Sequence, residues 1–339
     1  MITSRDVAET AGVSVSTVSL VLSGRWQEKR ISVSAKDRVL EAAKKLKYQP
    51  NQLARGLKMG RTNTIVVATL DKLYHSYVHQ RIEAIRIALQ QNGCRMLLEV
   101  FGGIDEAERW MPQNTRSICD GIVLIGANPA ELASLIKKHP KGMPLVVSGT
   151  SVSKTVNSVT YDRIEAVRLS VNHLAEQGCK RIAMIYDAVD GPVSKERVSG
   201  YKRALRMANI PFDQSLLIRS NVDKESGEQI AEKLLKAAIP PLGVFCYNNE
   251  SAMQLVHALL KKGFRVPDDI AVVAHGDTRL NVLCDVPLTG ISTDEDNIAR
   301  AIMKILFEEI ADPKRPPCQV VIPPFLVARA SSLRRKTGG

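Results

Sequence analysis

His75 and His79 stand four residues apart, a spacing that sets two imidazoles on one helical face and suits a metal ion. No acid or thiol stands beside them to complete a ligand set, so no metal site is expected there. The six cysteines (Cys94, Cys119, Cys179, Cys246, Cys284, Cys318) are scattered singly, with no C-x-x-C pair, and are expected to be reduced and mostly buried. No G-x-G-x-x-G, P-loop or G-x-S-x-G run is present, so neither a phosphate cradle nor a nucleophile elbow is expected. Serines, histidines and aspartates occur, but no spacing joins them into a triad. The expectation is therefore no catalytic residue, no metal and no cofactor.

What the chain concentrates is positive charge. Of the 339 residues, the first 62 hold twelve Lys/Arg against five Asp/Glu, a net +7 out of +12 for the whole chain. A basic footprint of that density suits a polyanion, because each neutralised phosphate releases condensed counterions. The rest of the composition is that of a soluble globular chain, 45% hydrophobic and 24% charged. No run of eighteen apolar residues could cross a membrane, and the start, Met1-Ile2-Thr3-Ser4-Arg5-Asp6, does not read as a secretory signal. A cytoplasmic protein is expected, of two to three domains by length.

The elements that would carry the basic footprint are short helices. Thr3 caps a first helix, Asp6 answers it three residues on, and Val7, Ala8 and Ala11 form its apolar face. Gly12 stands where a tight turn needs positive φ, and Ser14 caps a second helix through Val15 to Leu22. Val13, Val18 and Val21 are expected to face the core, and Val15, Ser16, Thr17 and Leu20 to face out. Two short helices around a glycine turn make a helix-turn-helix, whose second helix enters the major groove. A third helix is expected from Ser34 to about Lys47, packing through Val39, Leu40, Ala43 and Leu46. Tyr48 to Lys58 then opens with Pro50 near a helix start and is too short to be stable alone, which suits a segment that folds on binding.

The order D-V-A-x-x-A-G-V-S-x-x-T-V-S, then S-A-K-x-R-V-x-x-A, then Y-x-P-N-x-x-A-x-x-L resembles the LacI/GalR family of bacterial transcription regulators. The resemblance implies that Val15, Ser16 and Leu20 read bases, and that Ser14, Thr17, Ser19, Ser23, Tyr48 and Asn51 contact phosphates. It also implies that Ala54 and Leu57 enter the minor groove, where an apolar wedge kinks the duplex. Two departures stand out. Leu20 occupies a position more often basic or polar and offers only apolar contact, for example to a thymine methyl. The loop Gly24 to Ile31 is several residues longer than usual, and Trp26 with Arg25, Lys29 and Arg30 is a candidate for added backbone contacts.

From Thr64 onward, strand and helix alternate. Ile65–Leu70, Met96–Val100, Gly121–Ile125 and Leu145–Val147 form one strand series; Arg181–Ile185, Gly243–Cys246 and Ile270–Val273 form another. Ile82–Gln91 is an amphipathic helix stopped by Asn92-Gly93. Nearly all-apolar strands separated by helices predict parallel, doubly wound sheets, and two series predict two lobes with a ligand cleft at the strands' carboxyl ends. The segments Cys119–Leu124, Gly178–Ala183, Val266–Val273 and Pro287–Ile291 resemble the periplasmic-binding-protein-like sensor of the same family.

The expected fold class is thus a small all-α helix-turn-helix domain plus an α/β two-lobed, doubly wound domain. The expected boundaries are a headpiece at 1–48, a hinge and linker at 49–62, an effector-binding and dimerisation domain at 63–332, and a basic tail at 333–339. Within the large domain the N-lobe is expected at about 63–160 and 292–321, and the C-lobe at 161–291 and 322–332.

For the cleft, the resemblance implies an effector site built from His75 and Tyr77 on the loop after the first strand, with Arg163, Arg197, Asn248, His275 and Asp277. Arg197 lies in an R-x-x-G-[FWY] segment whose arginine usually grips the ligand. Asn249 replaces the aspartate of the usual N-D pair, and Gly276 sits where many members present a carboxylate to sugar hydroxyls. Fewer carboxylates and several cations, Arg279 among them, point to an anionic effector such as a sugar acid or phosphorylated sugar. The implied function is a homodimeric repressor, nucleoid-associated when bound to a palindromic double-stranded DNA operator and controlled by a small metabolite. A tail without leucine heptads gives no tetramerising coiled coil. A solute-transport protein of this fold would need an export signal and lack a headpiece. An enzyme would need a placed acid–base pair or nucleophile.

Overall fold

The computed structural model describes residues 2–334 except 23, 25, 28, 49–60, 71, 72, 74, 127, 150–153, 188–190, 222, 223, 238, 239 and 241, and excepting the side chains of 114–117. The chain divides into two units, Met1–Asn63 and Thr64–Gly339.

The first unit is helical. Helix α1 (Ser4–Ala11) opens on a capping box in which Thr3 and Asp6 satisfy each other's backbone N–H groups. It closes on Gly12 at φ 62°, with the Val13 N–H bonded to Ala8 O at 3.0 Å and the Gly12 N–H to Glu9 O at 3.3 Å, a Schellman turn. Helix α2 (Val15–Leu22) follows after three residues. Helix α3 (Val33–Lys45) is capped by Ser32 and starts one residue earlier than the sequence suggests. Val7, Ala8, Ala11, Val18, Val21, Val39, Ala42 and Ala43 form one core. Leu40 is not part of the packing stripe: it is 45% exposed, and Ala42, about one turn on from Val39, fills the buried face instead. Arg38 Nε donates to Ala11 O at 3.1 Å and ties α3 to the end of α1.

The second unit holds two six-stranded sheets. In the first, β1 (Thr64–Thr69), β2 (Arg95–Val100), β3 (Gly121–Ile125), β4 (Leu145–Ser148), β5 (Asn157–Tyr161) and β11 (Gln319–Ile322) run in the order β11-β5-β4-β3-β1-β2. In the second, β6 (Ile182–Asp187), β7 (Leu217–Ser220), β8 (Leu242–Cys246), β9 (Ile270–His275), β10 (Thr289–Ser292) and β12 (Phe325–Val327) run β12-β10-β9-β8-β6-β7. All pairings are parallel except β10 with β12. The buried strands β1, β3, β8 and β9 carry the all-apolar runs seen in the sequence, as expected of strands covered on both faces.

Helices α4 (Ser76–Gln91), α5 (Ile104–Ile118), α6 (Pro129–Lys138) and α12 (Glu295–Ala311) interleave with the first sheet. Helices α7 (Arg163–Glu176), α8 (Pro192–Met207), α9 (Gly227–Ala237), α10 (Asn249–Lys261) and the single turn α11 (Leu280–Leu283) interleave with the second. Each sheet has a core on both faces, for example Ile85, Leu89 and Val123 with Ile302 on one side of the first and Met111, Leu124 and Leu132 on the other. The chain passes from sheet to sheet between β5 and α7, between β10 and α12, and between β11 and β12. In both lobes the order reverses beside the first strand, β1 or β6. Such reversals open a crevice at the strands' carboxyl ends, and both sheets direct those ends to the crossover side.

Candidate nucleic-acid interface and ligand cleft

In the helical unit, Ser14 accepts from the Thr17 N–H at 3.1 Å and so fixes the start of α2. Its hydroxyl also meets those of Ser16 at 2.8 Å and Thr17 at 2.9 Å. Val15, Ser16 and Ser19 are exposed, Thr17 and Leu20 are half-buried, and Val18 and Val21 are fully committed to the core. One face of α2 is therefore a row of small hydroxyls and one valine, beside a helix N-terminus whose free N–H groups favour anions.

Tyr48 is half-buried against the headpiece core, with its N–H on Ala43 O at 2.9 Å. Ser23, Asn51, Ala54 and Leu57 lie outside the described residues. Trp26 packs on the headpiece core, with Lys36 Nζ 5.2 Å from its ring centre, rather than projecting outward; Lys29 and Arg30 of the same loop are exposed.

In the two-lobed unit, several contacts between described residues cross the cleft. Tyr161, last residue of β5, meets His275, last residue of β9, with Oη 2.9 Å from Nε2. Arg163, at the start of α7, donates to Gly149 O and lies with its guanidinium carbon 4.9 Å from the Tyr161 ring centre. Glu250, at the start of α10, accepts from both the N–H and the hydroxyl of Ser76 at 2.8 Å each. Gln80 donates to Asp277 O at 3.0 Å. The Ser76 contact is a helix cap supplied from the other lobe. His75, the residue preceding α4, makes no side-chain cap of its own, and the Glu250 carboxylate occupies that place.

Arginines surround the Tyr161–His275 pair. Arg81, 3% exposed, forms a two-pronged ion pair with Glu295 at 2.7 and 2.8 Å and reaches Ser148 Oγ at 3.4 Å. Arg197 on α8 adds its positive charge beside the Tyr161 phenol. Burial raises the Tyr161 phenol, but Arg163, Arg197 and Arg81 outweigh it and set its pKa below the ordinary tyrosine value. Burial, then Arg197, Arg163 and Arg81, push His275 well below the ordinary imidazole value, so that ring is neutral. Burial opposes the charge of Arg81, and Glu295 restores and exceeds it.

Most of the remaining cleft residues expected from the sequence have structural bonds. Asn248 Oδ1 accepts from the Ser251 N–H at 2.8 Å and caps α10. Asp277 is ion-paired with Arg329 at 2.6 Å. His75 and Tyr77 are ring neighbours at 6.1 Å; Tyr77, with Ser76, belongs to the first turn of α4 rather than to the loop, because the Glu250 cap extends that helix back to Ser76. Gly276 has φ 114°, and a Cβ there would stand 2.6 Å from the amide tip of buried Asn249. In the orientation that satisfies both ends of that amide, its nitrogen donates to the carbonyls of Gly276 at 2.8 Å and His275 at 3.0 Å.

Sequence reasoning missed Tyr161, Arg81, Glu250 and Gln80. One signal was present: Arg81 interrupts the stripe Val78, Ile82, Ile85, where a charge must be paired. No group of three or more His, Cys, Asp or Glu among the described residues could hold a metal ion, and no described helix is long and apolar enough to cross a membrane.

A basic helix-turn-helix headpiece ahead of a two-lobed, doubly wound core defines a class of regulator rather than a lone binding protein. Residues 3–51 match the bacterial regulatory proteins of the lacI family, and residues 171–332 match a periplasmic binding protein-like domain. The chain belongs to the LacI family. It is 29% identical over 316 residues to the HTH-type transcriptional repressor PurR of Vibrio atlanticus (strain LGP32), covering 92% of this chain and 93% of that one. It is 28% identical over 310 residues to catabolite control protein A of Priestia megaterium, covering 90% and 91%. Among solved structures, a transcriptional regulator CelR–cellobiose complex aligns with TM-score 0.71 and 26% identity over 98% of this chain and 100% of that one. A lac repressor dimer bound to operator and the anti-inducer ONPF aligns with TM-score 0.82 and 22% identity over 98% and 99%, a likeness of fold. Of these, PurR and the lac repressor are repressors by name.

Proposed function

We propose that this chain is a transcriptional repressor that binds a palindromic operator as a homodimer and is controlled by a small metabolite in the interlobe cleft. The observation that carries the reading is the exposed face of α2, Val15, Ser16 and Ser19 with half-buried Leu20, on a segment of net +7. Val15, Ser16 and Leu20 would read base edges, while Ser14, Thr17, Ser19 and Tyr48 would hold phosphates and fix the register. Exposed apolar side chains on the two-lobed unit support self-association: Leu280, Val282 and Leu283 in the second lobe, Ile87 and Val100 in the first. A dimer presents two headpieces, and two-fold symmetry in the protein calls for a palindromic site.

The effector is a sugar, sugar acid or phosphorylated sugar. Ser76–Glu250, Gln80–Asp277, Tyr161–His275 and Arg163–Gly149 are contacts that a ligand between the lobes must make or break, which couples occupancy to DNA affinity by a reciprocal free energy. The setting is the cytoplasm, at the nucleoid when DNA is bound. The test is selection of bound duplexes from a random library by the purified full chain. Enrichment of one palindrome is expected, with Ser16→Arg shifting the preferred bases. No enriched sequence at low salt would sink the reading.

A further inference from the structure

Helix α8 carries five Lys/Arg and a single acid, Glu196, which lies 3.8 Å from Arg163. Lys195, Lys202, Arg203 and Arg206 are exposed, and none has an ion-pair partner among the described residues. Lys202 Nζ instead stands 4.7 Å from the ring centre of Phe212, an exposed aromatic. At about 3.6 residues per turn, the four cations share a strip about 100° wide and about 16 Å long. Other exposed helical arginines meet an acid one turn away, as Arg86 meets Glu83 and Arg168 meets Glu165. A row of like charges repels itself and gains from an outside anion.

Beside this strip runs a groove of about 200 Å³ between α7 and α8. Ile164, Gly200, Ala204 and Met207 line its apolar part, and Arg168 and Arg203 its charged part. Gly200 and Ala204, one turn apart, are too small to fill it, and Met207 is 56% exposed. The two carboxylates of the groove are already engaged: Glu165 with Arg168, and Asp162 with the Glu165 N–H as the cap of α7. Metabolite pockets run to roughly 300–1,000 Å³, so this smaller space suits one protein side chain.

We propose that the α7–α8 face of the second lobe docks an acidic amphipathic helix of a partner protein. One apolar side chain of that helix enters the groove, and its carboxylates run along Lys195, Lys202, Arg203 and Arg206. A helix repeats its side chains every turn, so acids three and four residues apart match cations of the same spacing. Unbranched Met207 adapts to the shape of the inserted side chain. Duplex DNA is the poorer fit: it has phosphates for the strip, but no apolar side chain for the groove. The face also stays open in a homodimer formed through α11. Helices α7 and α8 cover the face of the second sheet that holds Met184, Phe245 and Val273, whereas Cys284 and Val286, at the end of α11, pack on the opposite core. The docking uses none of the residues assigned above to DNA or the effector, and so goes beyond the repressor reading.

The test is calorimetric titration of the full chain with a synthetic peptide of Glu and Ala around one central leucine, about 15 residues long so that it is helical in water. Lysine acetylation footprinting by mass spectrometry maps where it sits. Submillimolar binding is expected, with Lys195 and Lys202 acetylated more slowly in its presence. Arg203→Glu combined with Arg206→Glu should weaken binding about tenfold or more, the scale of two exposed ion pairs. Lys44→Glu combined with Lys45→Glu, the same charge change on exposed headpiece residues, should leave it unchanged. A peptide with alanine in place of the leucine should bind about tenfold more weakly, the scale of one buried leucine. No submillimolar binding of the acidic peptide would overturn the proposal, as would equal binding by the alanine peptide or loss in the headpiece variant rather than the α8 variant. Protection of Lys195 and Lys202 by a random-sequence DNA duplex but not by the peptide would assign the face to nucleic acid and overturn it too.

Discussion

Replacing Glu250 with alanine removes the cap that one lobe supplies to the other. In the structure a single carboxylate oxygen accepts from Ser76 N and Ser76 Oγ, both at 2.8 Å, and His75 provides no substitute. A hydrogen bond to a charged acceptor contributes about 1.5–3 kcal/mol. The two bonds share one oxygen and water replaces both when the lobes part, so the pair is taken as one such contribution. The balance between closed and parted lobes should then shift toward the parted state by about ten- to 150-fold. The assay is hydrogen exchange by mass spectrometry on peptides covering residues 75–80, with small-angle scattering of the ligand-free protein alongside. Faster exchange at the first turn of α4 and a larger radius of gyration are expected for Glu250→Ala, with Glu250→Gln intermediate because it keeps an acceptor oxygen. Unchanged exchange and unchanged scattering in the alanine variant would refute the idea that this contact holds the lobes.

Glu295→Ala leaves Arg81 charged and 3% exposed without its partner, and should lower stability by about 3–5 kcal/mol in chemical denaturation; the double variant Arg81→Met, Glu295→Leu should recover most of it. Ser14→Ala removes the cap of α2 and should cost the headpiece about 1 kcal/mol, seen as weaker binding to all duplexes rather than a changed preference. His275, His173 and His139 are all held below the ordinary imidazole value, by burial first. The unfolded chain then takes up protons that the folded one refuses, so stability should fall as pH drops below about 6.5, by up to about 1.4 kcal/mol per pH unit for each group. The thermal midpoint of His275→Gln should fall less than that of the wild type between about pH 7.5 and 5.5, and parallel curves would count against the buried neutral ring.

Much of the architecture is local and so legible in the sequence. The Thr3–Asp6 box, the Gly12 turn and the Ser14 cap are each satisfied by partners no more than five residues apart. The apolar runs of β1, β3, β8 and β9 need only burial to become strands. Strand β5 escapes such reading because Asn157, Ser158 and Thr160 are buried polar residues. Asn157 is held by contacts remote in sequence: it accepts from the Cys318 N–H at 2.8 Å and donates to Glu309 at 2.8 Å. Edge strand β7 and the terminal pair β11 and β12 are short, and their pairing depends on the finished sheets. The cleft shows the same division. Arg163, Arg197 and His275 could be picked from their segments, whereas the Ser76–Glu250 and Arg81–Glu295 pairs join residues 174 and 214 apart. The Asn248 side chain reads as a ligand contact in sequence and is an α10 cap in the fold.

The interlocked Gly276 and Asn249 also constrain how this cleft can change over generations. A side chain at 276 would meet the Asn249 amide tip at 2.6 Å on a backbone at φ 114°. Asn249 meanwhile bonds the very turn that contains Gly276. A carboxylate regained at 276 while asparagine stands at 249 would collide with it, and shrinking residue 249 first would loosen the turn. Either first step is costly, so a lineage carrying this pair is confined to one side of a two-mutation barrier. Its ligand preference is then expected to drift through Arg163, Arg197 and Tyr161 rather than through the end of β9.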